Sequence, residues 1–174
     1  MLNSYLEETR ELFWKYKQMA EAAMGQVADA DLVRQIESES NSIAIIAKHI
    51  SGNLRSRWTD FLTSDGEKPD RYRDSEFEAP AATRAEIMRS WEAGWNCLLS
   101  ALDSLSGEDL EQTVYIRGEA HSALKATQRS LAHVASHVGQ IVFLAKVLCG
   151  KEWKTLSIPR GKSEEFNRGR PSAF

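Results

Sequence analysis

The strongest fold signal lies in residues 122–149, which read SALKATQRSLAHVASHVGQIVFLAKVLC. The apolar residues of this stretch recur at steps of three and four, the spacing that places them on one face of an α-helix. The stretch ends at Gly150, and glycine tolerates the positive backbone angles of a helix C-cap. We therefore predict one long helix over residues 122–149.

Three earlier stretches show the same periodicity and predict helices over residues 2–24, 42–62 and 83–105. The last of these starts with Thr83 and Glu86, the spacing of a capping box. Residues 63–82 contain Asp65-Gly66, two prolines and many charges, so we expect a long, non-helical connection. A connection of this length lets the second and third helices run parallel. Residues 113–117 alternate in polarity and predict a short extended arm.

Four amphipathic helices favour an all-α protein with a four-helix bundle over residues 1–150, because each apolar stripe needs partners. The bundle would have a long crossover loop. Residues 151–174 would form an irregular tail, held on the bundle by Trp153, Leu156, Ile158 and Phe166. With 174 residues, the chain is expected to form a single domain.

Composition excludes several classes of protein. With 42% hydrophobic and 27% charged residues, the chain should fold. Its uninterrupted apolar runs are far shorter than the roughly 20 residues of a membrane span, and its acidic start lacks signal-peptide features, so we expect a cytoplasmic protein without a membrane partner. The net charge of −3 argues against a nucleic-acid partner, although residues 151–174 are basic. Cys97 and Cys149 lie far apart in apolar patterns and are interpreted as buried thiols.

The histidines carry the clearest chemical signal. His133 and His137 are four residues apart, so both imidazoles project from one helix face, and that face is otherwise mainly apolar. His49 lies at the edge of the apolar stripe of the second helix, and its own face carries small and polar residues that leave space: Ser42, Gly52, Asn53 and Ser56. Three histidines plus an open position are typical of a catalytic metal site. His49, His133 and His137 are therefore the predicted metal ligands.

Alternatives remain open from the residues alone. A histidine pair at this spacing is often structural or a surface feature, because two-residue patterns recur by chance. Zinc, nickel, iron and copper fit imidazole ligands about equally well. His121 lies twelve residues before His133, and a capping, loop or supporting role is favoured over a role as a fourth ligand. The metalloprotease motif H-E-x-x-H is absent from the sequence.

The segments AKHISGNL (47–54) and LAHVASHVGQI (131–141) resemble the DinB/YfiT-like superfamily of four-helix-bundle metalloproteins. RWTDFLTSDGEKP (57–69) and LSIPRGKS (156–163) are similar to an uncharacterised branch of that superfamily, a domain of unknown function. The resemblance implies that His49, His133 and His137 hold zinc or nickel, and that the chain forms a homodimer. Several such proteins join a low-molecular-weight thiol, such as bacillithiol or mycothiol, to a substrate, and others use a thiol cofactor in isomerisation.

The resemblance favours a metal-dependent S-transferase that joins a low-molecular-weight thiol cofactor to small electrophilic molecules. We expect Arg160 and Lys162 in the tail to fold over the pocket and bind an anionic group of the cofactor, since both side chains recognise carboxylate or phosphate. The alternative for these residues is a solvated tail that pairs with the acidic body. Two other functions stay open: a metal-dependent hydrolase, and a non-catalytic, stress-associated bundle that binds metal.

Overall fold

A computed structural model describes residues 1–78 and 83–168. The described chain is mostly helical, which confirms the all-α expectation at that level. The parts of the predicted connection and tail that fall in residues 79–82 and 169–174 lie outside the described residues. The helices are α1 (Leu2–Met24), α2 (Asp29–Leu32), α3 (Ile43–Trp58), α4 (Arg84–Ser104), α5 (Ala123–Cys149) and α6 (Ser163–Arg168). The strands are β1 (Thr113–Ile116) and β2 (Glu119–Ser122), and 3₁₀ turns occupy Asp74–Phe77, Glu108–Glu111 and Gly150–Glu152.

One hydrophobic core receives side chains from α1, α3, α4 and α5. Phe13 of α1 is fully buried at its centre and meets Trp58 and Trp95 edge to face, with ring centroids 6.0 and 6.4 Å apart. Aromatic rings favour this arrangement because the positive edge of one ring faces the negative face of the other. The apolar stripes read from the sequence therefore converge on a shared interior.

Helices α3 and α4 approach each other closely. Gly94 faces the backbone of Ser51, and further along both helices Cys97 Sγ lies 3.3 Å from Thr59 Oγ1. In both pairs the residue numbers increase in the same direction, so the two helices are parallel.

The N-terminus of α4 has the predicted capping box, in which Thr83 and Glu86 exchange hydrogen bonds. The interpretation of Cys97 and Cys149 as buried thiols was too strong, because both free cysteines are half-buried.

The helix predicted over residues 42–62 ends earlier, at Trp58. Asp60 adopts a φ of 48°, and its carbonyl oxygen accepts hydrogen bonds from the N–H groups of Thr63 and Ser64, which turns the chain. Phe61 continues the apolar spacing but lies outside the helix, and its ring stacks on Trp58 at 4.5 Å. The sequence pattern therefore correctly predicts that Phe61 packs against the core but wrongly places it in a helix.

The extended arm predicted over residues 113–117 is confirmed as β1, which pairs with β2 in an antiparallel hairpin. Arg117 and Gly118 form its turn, with φ values of 57° and 75°. The Asp65 carboxylate accepts the N–H groups of both turn residues, at 2.8 and 2.7 Å. It also accepts the N–H of Glu67, and these backbone hydrogen bonds lower the pKa of Asp65. This carboxylate ties the polar connection after α3 to the hairpin.

The first residues after α5 contact the body of the protein. Gln26 exchanges two hydrogen bonds with the backbone of Lys154, and Trp153 and Leu156 pack against the hydrophobic core. Ile158 and Phe166 are exposed, at 38% and 41%, so of the four residues predicted to hold the tail, Trp153 and Leu156 are the two that pack against the core. The expectation of a wholly irregular tail is wrong at α6, where the carbonyl of Lys162 accepts the N–H of Phe166 and starts a helical turn.

Within the described residues, one segment, Ala123–Glu152, is long and apolar enough to cross a membrane by length and composition alone. Its apolar runs are short, but its most apolar 18 residues have a mean hydropathy of 1.4. Core helices of soluble proteins pass the same criterion, and α5 contributes Val134, Val138 and Ile141 to the core. This feature is therefore weak evidence for a membrane span.

Candidate metal centre

The three predicted ligands come together between α3 and α5. His49 projects from α3, and His133 and His137 project from successive turns of α5. One ligand atom from each histidine lies within 4.8 Å of the others, and His49 Nε2 is 3.1 Å from His133 Nε2. The three rings meet edge to face, with centroids 4.5 to 5.1 Å apart. This cluster could hold a metal ion.

One pair of histidine nitrogens has the spacing that a tetrahedral ion requires. With zinc–nitrogen bonds of about 2.0–2.1 Å, two ligand nitrogens stand roughly 3.3 Å apart, close to the spacing of the His49 and His133 nitrogens. His133 is not committed elsewhere, because its buried Nδ1 has no hydrogen-bond partner among the described residues. His137 Nδ1 lies 3.2 Å from Gln140 Oε1, which helps to fix its ring. Three imidazole donors gathered at this spacing therefore suit a metal ion.

The protonation state of the cluster also suits a metal. Burial lowers the pKa of His133 to about 3, and the neighbouring His137 and His49 act in the same direction. Burial lowers the pKa of His137 as well. A metal requires the neutral imidazole with a free lone pair. His133 is therefore ready to bind at neutral pH.

A buried carboxylate supports the cluster from behind. Glu76 Oε2 lies 2.8 Å from His49 Nδ1, and Arg71 donates hydrogen bonds of 2.8 and 2.9 Å to the two oxygens of Glu76. Burial alone would raise the pKa of Glu76, but the hydrogen bonds from His49 and Arg71 lower it below its usual range. An ionised Glu76 holds the proton of His49 on Nδ1 and leaves Nε2 free as the ligand atom.

A cavity of about 360 Å³ opens beside the cluster and is lined by all three histidines. Aromatic and aliphatic side chains form part of its wall: Trp58, Phe61, Phe77, Val114, Tyr115, Ile116 and Ala126. Arginines form much of the rest: Arg57, Arg71, Arg73, Arg117 and Arg129. A cavity of this size and composition suits a small organic molecule.

The wall is held by contacts between separate elements. Trp58 Nε1 of α3 donates to Ser130 Oγ of α5 at 3.0 Å, and Ser56 Oγ donates to Gly66 O at 2.7 Å. Gly66 N donates to Tyr115 O at 2.8 Å, which joins the connection to β1. These hydrogen bonds join the hairpin and the connection to the helices that carry the histidines.

The other residues singled out from the sequence lie elsewhere. Arg160 and Lys162 are exposed, Lys162 pairs with Glu165 at 2.7 Å, and neither is among the described residues that line the cavity. Their role in binding a cofactor stays a prediction. His121 is buried on β2, outside the three-histidine cluster, and its nearest acidic partner is Glu119 at 3.8 Å.

Sequence reasoning missed Glu76, Arg71 and Arg129. Glu76 and Arg71 lie in the polar connection, where no periodicity assigns a side chain to the interior. Arg129 did carry a signal, because it precedes His133 by four residues and so shares its helix face. The positions of Glu76 and Arg71 depend on how the connection folds across α3, and spacing along the chain does not contain that information.

A family model described as "Protein of unknown function (DUF1572)" matches residues 1–162. No curated protein and no solved structure matches the chain. The matched residues include all four long helices, the three histidines and the connection that carries Glu76. The chain therefore belongs to the DUF1572 family of proteins of unknown function.

Proposed function

We propose that this protein is a metal-dependent enzyme of the DinB/YfiT-like four-helix-bundle kind, which transfers a low-molecular-weight thiol to a small electrophile. One observation carries the proposal: three histidine ligand atoms lie within 4.8 Å of one another at the wall of a cavity of about 360 Å³. A metal there would have three protein ligands and one side open to the cavity. This arrangement is typical of catalytic sites.

A bound zinc or nickel ion would supply the Lewis acidity that lowers the pKa of a thiol. The protein's own residues bind and orient the ion and the substrate. His49, His133 and His137 hold the ion, and Glu76 fixes the orientation and tautomer of His49. The apolar wall around Phe61 excludes water and contacts the apolar part of the electrophile.

The composition of the wall favours an external nucleophile. Neither cysteine lines the cavity, and the described residues that line it include no carboxylate that could serve as a general base for water. Glu76 is close, but both of its oxygens accept hydrogen bonds from Arg71 or His49. A hydrolase would need a free base near the metal, so we favour the transferase.

Turnover tests the proposal. Zinc-loaded and nickel-loaded protein should consume a generic electrophile, such as monochlorobimane, together with bacillithiol, mycothiol or glutathione. The rate should fall to the uncatalysed level in the double variant His133→Ala, His137→Ala, because the ion is lost. Absence of thiol consumption with every metal and thiol, despite stoichiometric metal binding, would refute the transferase and leave a structural metal site.

The homodimer implied by the resemblance is part of the proposal. Its support is the apolar surface of α5, where Phe143 and Val147 are 64% and 47% exposed. Sedimentation equilibrium of the full chain measures the mass directly. The dimer predicts twice the chain mass of 19.6 kDa, and the variant Phe143→Asp should shift the protein to a monomer.

A further inference from the structure

The cavity beside the three histidines is strongly basic. Five of its lining residues are arginines, and no aspartate or glutamate is among the described residues that line it. Guanidinium groups that face one cavity repel one another, more weakly where they are exposed to solvent, and a bound anion relieves this repulsion. The electrostatics of the wall therefore point to an anionic ligand.

Three of the five arginines already have partners. Arg57 and Arg117 both donate to Glu67 Oε2, at 2.9 and 3.1 Å. Arg71 donates to both oxygens of Glu76. These ion pairs fix the wall, and their charges are largely compensated within the protein.

Arg73 and Arg129 differ from the other three. Arg129 makes no hydrogen bond or ion pair with any described residue. The nearest carboxylate to Arg73 belongs to the fully exposed Asp74, at 3.8 Å, and such a contact contributes little. The Arg73 guanidinium instead lies over the Phe77 ring, 4.8 Å from its centroid. Two guanidinium groups thus remain available to a ligand.

Both groups flank the histidine cluster. Arg129 precedes His133 by four residues on α5, so the two side chains lie on one face of the helix about one turn apart. In the connection, Phe77 packs on the ring of His49 at 4.7 Å, and the same Phe77 ring contacts the Arg73 guanidinium. Arg73, Arg129 and the three histidines line the same cavity, so a small molecule held there can contact both arginines and the histidine cluster.

We infer that Arg73 and Arg129 bind a carboxylate or phosphate group of the small molecule that occupies this cavity, while its apolar part contacts Phe61 and Tyr115. The inference deepens the proposed function and rests on it in one respect, that the reacting end of this molecule lies at the metal. The binding of the anionic group itself does not require the metal. The site therefore selects anionic small molecules over neutral ones.

Phenyl phosphate is a suitable probe, because it combines one anionic group with one aromatic ring. Calorimetric titration of the full chain, zinc-loaded and after treatment with a chelator, should detect binding in both forms. Phenol, which lacks the anion, should not bind measurably, and benzoate reports whether a carboxylate is accepted as well as a phosphate. Each variant, Arg73→Ala and Arg129→Ala, should weaken binding by about tenfold, since hydrogen bonds to charged groups are strong.

Two further variants make the test specific. Arg89→Ala removes an exposed arginine of α4 outside the cavity and should leave affinity unchanged. Arg129→Lys retains the charge and should recover part of the affinity. Thermal melts of each variant confirm that it is folded.

The inference is overturned if wild-type protein does not bind phenyl phosphate, or if Arg73→Ala and Arg129→Ala bind it as well as wild type does. It is also overturned if binding needs zinc and ignores both arginines, because the anion would then contact only the metal. If only the proposed transferase activity were wrong, the result would be different. Thiol turnover would be absent while the chelator-treated protein still bound phenyl phosphate through its arginines.

Discussion

Glu76 and His49 are joined by a buried contact of 2.8 Å between a carboxylate oxygen and Nδ1, although 27 residues separate them in the chain. Both side chains are more than nine-tenths buried. This contact links the polar connection to the metal centre, so the position of a loop residue determines the orientation of a helix residue. We expect metal affinity to depend on it.

The variant Glu76→Gln should bind zinc about 10–100-fold more weakly, because the loss of a carboxylate behind a histidine ligand has this typical cost. Competition with a chromophoric chelator measures the dissociation constant. Glu78→Gln, which changes an exposed carboxylate two residues away, is the matched control and should bind zinc like wild type. Equal affinity of Glu76→Gln and wild type would show that the contact does not support the ligand.

Gly52 provides an independent test of the same contact. A Cβ atom at this position would clash with Glu76 Oε1 and lie 2.8 Å from Glu76 Cδ. In Gly52→Ala, the Glu76 side chain must move, and it then loses hydrogen bonds to His49 and Arg71. We expect weaker zinc binding in the same chelator assay, while circular dichroism shows an intact helical fold. Unchanged affinity would mean that Glu76 can reach His49 from another rotamer.

A substitution at Gly94 should change the stability of the fold and leave metal binding unchanged. A Cβ atom there would lie 2.7 Å from Ser51 Cα and 2.9 Å from Ser51 O, both of which are fixed backbone atoms. Overpacking of this kind costs about 1–3 kcal/mol, and the better helix propensity of alanine offsets up to about 1 kcal/mol. Gly94→Ala should therefore lower the free energy of unfolding in urea.

Gly139→Ala is the matched control for Gly94→Ala. It lies in α5, and a Cβ atom there would meet nothing within 4 Å. Only the propensity effect remains, so this change should raise the free energy of unfolding by up to about 1 kcal/mol. Two effects of the same sign would contradict the close approach of α4 to Ser51.

The hydrogen bonds accepted by the Asp65 carboxylate should make the stability of the protein depend on pH in the acid range. The backbone N–H groups of Glu67, Gly118 and Arg117 lower its pKa in the folded protein. The stabilisation is therefore fully present above the pKa of the unfolded chain, about 4, and is lost as the pH falls through the lower folded value. Asp65→Asn should be less stable than wild type at about pH 7, and the difference should shrink below about pH 4. Urea unfolding of metal-free protein measures it, and a difference independent of pH would refute this role.

The sequence was most informative where side-chain spacing reflects helix geometry. The periodicity of α5 predicts His133 and His137 on one inward face, as the structure shows. Of the small and polar residues expected to leave space beside His49, only Asn53 is among the described residues that line the cavity, whereas Gly52 faces Glu76. The extent of α3 was overestimated, because Phe61 keeps the helical spacing while Asp60 turns the chain. The spacing of apolar residues indicates which side chains are buried, but a turn can bury a side chain as well as a helix can.

Side-chain spacing does not predict which residues surround the histidine cluster. Glu76 and Arg71 become buried only because the connection after α3 folds back and pairs their charges, a long-range event without a local pattern. The basic tail favours Arg160 and Lys162 as anion-binding residues, which stays a prediction, and it does not identify the arginines of the cavity, which come from α3, α5, the connection and the hairpin turn. Charge along the chain does not show which guanidinium groups a fold brings together.

The most direct test of the central claim is a zinc titration of metal-free protein by calorimetry, comparing wild type with single alanine variants of all four histidines. The account predicts one equivalent of zinc per chain for wild type and for His121→Ala, and binding far weaker in His49→Ala, His133→Ala and His137→Ala. Thermal melts confirm that each variant is folded. The account is contradicted if wild type binds no zinc, or if loss of His121 weakens binding as much as loss of His133.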